Sequence, residues 1–189
     1  MALTTLDHRT ALVIIDLQNG VVGLNTVHPT ADIVARSVTL AESFREHGLP
    51  VVLVNVNGRP PGRTDRSPAA GALAFAAGWD ELVPELAPQH DDLLITKQTG
   101  SAFPNTGLHE ALTAKGVTHI VLAGISTSNG VESTAKSAFE LGYNVTVAVD
   151  AVTDASEENH NHSLTRALPS LSETGTTDDI LALLANTRS

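Results

Sequence analysis

The stretch VLAGISTSNGVESTAKSAFELGYNVTVAVDAVTD, residues 121–154, holds the pattern on which the rest of the chain is built. The apolar run at residues 120–123 reads as a strand buried on both faces, because no polar residue alternates along it. Gly124 to Gly130 are small and polar, a composition that turns the chain. From about residue 129 to 141 apolar residues recur at helical spacing, Gly142 stops the helix, and residues 145–149 give a second buried strand. The unit is strand, tight turn, helix, strand. A crossover of this kind makes the two strands parallel and sets the turn at the carboxyl end of the first, where open α/β sheets bind ligands. A helix amino-terminus opening from such a turn also offers backbone N–H groups to an anion or oxyanion.

The same alternation extends in both directions. Residues 11–16, ALVIID, form a strand ending in a carboxylate, and residues 30–47 a helix with Ile33, Val34, Val38, Leu40, Ala41 and Phe44 on its apolar side. Gly48 closes that helix, residues 50–56 make a second strand, and GRPPGRTDRSPAAG at 58–71 is a loop suited to covering a ligand. A short helix is predicted at 79–86, a strand ending in a cation at 93–97, and a helix at 108–115 that Gly116 passes to the strand at 119–123. Beyond the central unit, residues 160–167 and 178–186 are predicted helices, the latter with Thr176 and Thr177 as candidate caps. The prediction is a single α/β domain over residues 1–189, doubly wound, with a mainly parallel sheet and helices on both faces.

Composition narrows the function. A length of 189 residues supports one sizeable core, and no apolar run approaches the ~18 residues that span a bilayer. The opening MALTTLDHRT lacks a basic region followed by an apolar one, so no signal peptide and a cytoplasmic location are expected. A formal charge of −10 and only 3% aromatic residues argue against nucleic-acid binding, which draws on a basic face and stacking platforms. Zero cysteines remove any disulfide framework and any thiolate chemistry.

Three strands end in something that chemistry can use: Asp16, Lys97 and the turn from Gly124 to Gly130. In a parallel sheet all three converge on one edge, where a carboxylate beside a lysine is held charged, or shares a proton when desolvated. Other polar residues read as structural. Asp150 and Asp154 suit turns and caps, Glu157 and Glu158 a solvated helix start, and His160 and His162, two apart and so separated on a helix, the surface.

Taken together, ALVIIDLQNG at 11–20, ITKQTGSAF at 95–103 and VLAGISTSNGVESTA at 121–135 resemble the isochorismatase-like hydrolases, also called the cysteine hydrolase family. The resemblance runs over nearly the whole chain. It implies a doubly wound sheet of about six parallel strands, a homodimer or higher homo-oligomer, and hydrolysis of a small molecule. It further implies Asp16 as general acid/base, Lys97 as its support, and a nucleophilic cysteine at the start of the central helix. That position is Gly130, and no cysteine stands elsewhere, so a thiolate acyl-enzyme is excluded. The true isochorismatases also carry a glycine there and cleave a vinyl ether, with an acid protonating the enol carbon and water trapping the oxocarbenium ion. They carry a tyrosine and a histidine in the turn where this chain has Ser126 to Ser128.

On that resemblance the expected catalytic set is Asp16, Lys97 and Gly130, and the expected substrate-binding set is Ser126, Thr127, Asn129, Arg59, Arg63 and Phe103, with Arg66 as a further candidate. Guanidinium groups match a substrate carboxylate in a two-point fork. A cis peptide is expected at Ile125–Ser126. No cofactor is expected, nor a metal, because the Asp-x-His pair with which nicotinamidases of the family hold one is here Asn55-Val56-Asn57. Two alternatives stand beside vinyl-ether hydrolysis: an amidase using Ser126, Thr127 or Ser128, and a catalytically silent member that binds a small anion or a protein.

Overall fold

A computed structural model describes residues 3–65 and 75–186. Six strands form one parallel sheet in the order β3-β2-β1-β4-β5-β6. They are β1 (Thr10–Ile15), β2 (Val51–Val56), β3 (Leu93–Lys97), β4 (His119–Ile125), β5 (Asn144–Thr153) and β6 (Glu173–Gly175). The helices are α1 (Asn19–Val22), α2 (Thr30–Glu46), α3 (Leu108–Ala114), α4 (Glu132–Glu140), α5 (Glu157–His162) and α6 (Thr177–Asn186). The predicted fold class and sheet are those observed.

Side chains along a strand alternate between its faces, so β1 feeds two cores. Leu12 and Ile14 join Leu53, Val121, Phe44 and Ile180 on the side of α2 and α6. Val13 and Ile15 join Val54, Leu122, Leu112 and Ala135 on the side of α3 and α4. Sandwiched in this way, all six residues of β1 are buried, which is why the strand reads as unbroken apolar sequence. The winding direction reverses between β1 and β4, whose register pairs Ile14 with Ala123 and Ile15 with Gly124. Asp16 and the Gly124–Gly130 turn therefore leave the sheet side by side at its switch point.

Several elements differ from the prediction. β5 runs ten residues, past the predicted end at 149, because its register against β4 shifts between Leu122 and Gly124 and the extra residues of β5 bulge there. Gly124 sits at φ +112, and a Cβ on it would lie 2.1 Å from the Ile15 carbonyl oxygen. Only glycine allows the two strands this approach. No helix forms over 79–86. Leu82 bridges Gln18 in antiparallel fashion and only Pro84–Leu86 make a 3₁₀ turn, since Pro84 lacks the N–H that a helix interior needs. The central helix opens as a π-helical turn, Thr127–Val131, and becomes α-helical at Glu132. The helix predicted from 160 starts at Glu157, where Ser156 accepts the Asn159 N–H at 3.3 Å, and continues as a π-helical segment, Ser163–Ala167. Among the described residues no helix is long and apolar enough to cross a membrane.

Candidate active site

The chain leaves β1 at Asp16 with φ +53, a left-handed conformation that Asp tolerates better than most residues, and its N–H donates to Val54 O at 2.9 Å. The residue is only 6% exposed. Its Oδ2 lies 2.8 Å from Lys97 Nζ, which comes from the end of β3 across β2 and also donates to Thr99 O at 3.0 Å. Lys97 is buried too, and it is the one ionic partner of Asp16 among the described residues. Oδ1 of Asp16 is buried with no hydrogen-bond partner among them. Burial pushes the Asp16 carboxyl up to about 6, and the Lys97 ammonium, which favours the carboxylate, only partly offsets that rise. The result is a dry carboxyl group with one oxygen held by a cation and the other unpartnered.

Gly130 lies directly on this pair. A Cβ there would stand 3.4 Å from Asp16 Oδ2 and 3.4 Å from Ile125 O, but 2.7 Å from Ile15 Cγ2. A side chain at this position points at the carboxylate, yet the Ile15 methyl occupies the room for its first carbon. Gly130 O accepts Thr134 Oγ1 at 2.7 Å, and Thr134 Oγ1 in turn accepts the Ala102 N–H at 3.0 Å, tying the turn to the loop that follows β3. In the same loop a Cβ on Gly100 would meet Asn129 Oδ1 at 2.9 Å and Ser133 Oγ at 3.0 Å. The sheet edge thus brings Asp16, Lys97, Asn129 and Gly130 together.

The turn itself carries the expected cis bond at Ile125–Ser126. Ser126 is half-buried and stands at the N-cap position without a side-chain cap bond. Thr127 is fully buried, with Oγ1 2.9 Å from His160 Nδ1. Ser128 donates both its N–H and its hydroxyl to Asp154 Oδ2, each at 2.8 Å. Two of the three candidate hydroxyls are thereby committed to the turn's own support.

Other candidates fall elsewhere. Arg59 and Arg63 are exposed on the segment after β2 and neither pairs with Asp16; Arg66 lies outside the described residues. Phe103 packs in the second core, 8% exposed with its ring centroid 5.9 Å from that of Tyr143, and it lines a pocket with Pro104, His109 and Leu141 that does not include Asp16. His160 is not on the surface but 4% exposed, whereas His162 is exposed as expected. Glu157 and Glu158 are exposed at the start of α5. Asp150 does cap, accepting the Thr177 N–H at 2.7 Å while pairing with Arg36. Asn55 donates to Asp80 O at 2.8 Å, and among the described residues no group of three or more His, Asp or Glu is placed to hold a metal ion.

Two further residues support the segment after β1. Gln18, fully buried, donates to Val56 O at 2.9 Å and accepts the Val56 N–H at 2.7 Å, stitching the segment after β1 to the end of β2. Trp79 lies flat on Gly20, where a Cβ would meet its indole nitrogen at 1.9 Å, and it stacks on Phe75 at 4.1 Å. His160, expected at the surface, had a legible signal for burial, since it shares a helical face with Leu164 and Leu168, four and eight residues on.

Comparison with known proteins agrees with this fold. The model of the isochorismatase domain matches residues 10–179. An uncharacterized isochorismatase family protein of Escherichia coli O157:H7 is 39% identical over 184 residues, 93% of this chain and 96% of that protein. The ureidoacrylate amidohydrolase of Stutzerimonas stutzeri is 31% identical over 177 residues, 79% of this chain and 71% of its own length. The solved structure of an isochorismatase family protein from Burkholderia thailandensis superposes with a TM-score of 0.88 at 39% identity, covering 96% of this chain and 98% of that one.

Proposed function

The chain belongs to the isochorismatase family and is a hydrolase of that family, and we propose that it works by acid/base chemistry at Asp16 on a small anionic metabolite, a vinyl ether such as isochorismate. The observation that carries this reading is the buried Asp16–Lys97 pair lying under Gly130, a position without a side chain, in a chain without cysteine. An acyl-enzyme of the cysteine type needs a thiol at position 130, and glycine supplies none. Vinyl-ether hydrolysis needs none. Protonated Asp16 gives its proton to the terminal enol carbon, the ether oxygen shares the resulting positive charge, and water adds to the oxocarbenium carbon. The hemiketal then collapses, breaking its bond to the ring oxygen and releasing pyruvate and the alcohol, with a proton returned to Asp16.

Two properties of the site support this assignment. A carboxyl raised to about 6 is protonated often enough near neutrality to act as an acid, while retaining a strong tendency to give the proton up. Its Oδ2 is held by Lys97, which leaves Oδ1, buried and without a hydrogen-bond partner among the described residues, as the oxygen to carry the proton. The amidase alternative loses Thr127 and Ser128, whose hydroxyls are engaged by His160 and Asp154.

The test is isochorismate turnover by the wild type beside Asp16→Ala. Pyruvate release by the wild type, reduced about 10²-fold or more in the variant, is the expected result for loss of a general acid. No release by the wild type would overturn the vinyl-ether assignment, and equal release by the two proteins would overturn the role of Asp16.

A further inference from the structure

We propose that Asp154 and His160 are positioning residues that clamp the turn at residues 126–131 from behind and hold it as a dry roof over Asp16. The inference rests on the reading of Asp16 as the acid/base group of this site and assigns two further residues to it.

The clamp is built from one stretch of chain gripping another. Asp154 follows β5 directly and is only 4% exposed. Its Oδ2 accepts the N–H and the hydroxyl of Ser128, both at 2.8 Å, and its Oδ1 accepts the Ser156 N–H at 3.2 Å, so three donors fix the carboxylate. His160, on α5, lies 2.9 Å from the buried Thr127 hydroxyl. One turn further, Ser163 donates to Glu132 Oε2 at 2.5 Å. Residues 127, 128 and 132 at the head of the central helix are thus each held by a side chain from the segment after β5.

The opposite side of the same turn is Gly130, set against Asp16 Oδ2. Neither Asp154 nor His160 touches Asp16; they act on it through the turn. Simple capping does not require this much. One hydroxyl serves as a helix cap, whereas burying a carboxylate and an imidazole costs free energy unless each is well bonded. Burial and the neighbouring His28, whose ring centroid is 5.0 Å away, hold His160 below the usual imidazole range against the opposing pull of Asp154. The ring is therefore neutral at neutral pH and suited to bonding a hydroxyl. The π-helical opening at Thr127–Val131 is a widened turn of the kind that needs such outside support.

If the roof lifts, water reaches Asp16 and relieves the burial that raises its pKa. The titration of Asp16 then reports on the clamp with no substrate present. The experiment follows the Asp16 carboxyl carbon by NMR against pH in protein labelled at aspartate, with Asp16→Asn used to assign the signal. In Asp154→Ala the midpoint is expected to fall by about one pH unit or more as water enters. Asp154→Asn, which keeps an oxygen acceptor for Ser128, is expected to restore most of the wild-type value, and Thr127→Val to give a smaller fall in the same direction.

A folded Asp154→Ala with the wild-type Asp16 titration overturns the proposal. Should that variant not fold, Ser128→Ala, which removes one of the two bonds from residue 128, decides instead, and an unmoved midpoint there overturns it equally. Because isochorismate takes no part in this measurement, a wild type that releases no pyruvate counts against the substrate assignment alone.

Discussion

Replacing Lys97 by Met isolates what the buried cation does for Asp16. Methionine keeps most of the apolar stem, so the packing around a side chain that is 2% exposed is largely preserved while the charge is removed. With Nζ and Oδ2 2.8 Å apart, the ammonium is what opposes the effect of burial. An opposite charge at such range lowers a carboxyl pKa by about 1–3 pH units, so its loss should raise Asp16 from about 6 to roughly 7–9. At pH 7 the protonated fraction would then rise from about a tenth to about half or more. The assay is the same carboxyl-carbon titration by NMR. It is paired with urea unfolding across pH, because linkage fixes the sign of the stability change. Asp16 binds its proton more tightly folded than unfolded, so its contribution is fully present below the unfolded value of 3.8 and is lost as pH rises through the folded value. Lys97→Met moves the upper end of that window to higher pH, and the variant should therefore be weakest, relative to wild type, above pH 7. A midpoint that stays at about 6 or falls would refute the view that the ammonium opposes burial at this carboxyl.

Three further outcomes follow from the same structure. With Asp16 as the acid, the rate of vinyl-ether hydrolysis should decline as pH rises above about 6, and a flat profile between pH 6 and 8 would remove Asp16 from the rate-determining proton transfer. Gly124→Ala places a Cβ 2.1 Å from the Ile15 carbonyl at φ +112, where neither strand has slack, so a loss of about 4 kcal/mol or more is expected, read as failure to accumulate soluble protein. Ser37 buries a hydroxyl that has no partner among the described residues, and Ser37→Ala should stabilise the protein by about 1 kcal/mol in urea unfolding; a clear loss would reveal a partner for that hydroxyl.

The parts of the fold that were legible in sequence are those where local pattern and burial coincide. β1, β2 and β4 are flanked by helices on both faces, so their apolar runs announce them, and glycines at 48, 116 and 142 mark where helices end with positive φ. β6 was not legible. It is three residues at the sheet edge, Glu-Thr-Gly, paired to β5 and joined to the amino-terminal segment by the Leu3 N–H donating to Thr174 O at 3.0 Å. No side-chain pattern encodes such a strand; its neighbours create it. Asp16 and Lys97 were found because each ends a strand of a parallel sheet, which fixes their common edge. The turn role of Asp154 was legible, but its partner Ser128 and the pairing of His160 with Thr127 were not, because those partners lie 26 and 33 residues away and only the folded chain shows that the segments after β4 and β5 face each other.

The methyl of Ile15 bears on what the site can become. A thiol at position 130 is one residue substitution away. In this protein that step meets Ile15 Cγ2 at 2.7 Å before the sulfur is reached, and Ile15 is fully buried in the second core. Positions 15 and 130 are therefore coupled: the Ile15 γ-methyl must shift before a Cβ fits at 130, and truncating Ile15 to alanine to make that room costs about 2–5 kcal/mol. A thiol at 130 and a full core at 15 compete for one space, beside the Asp16 carboxyl.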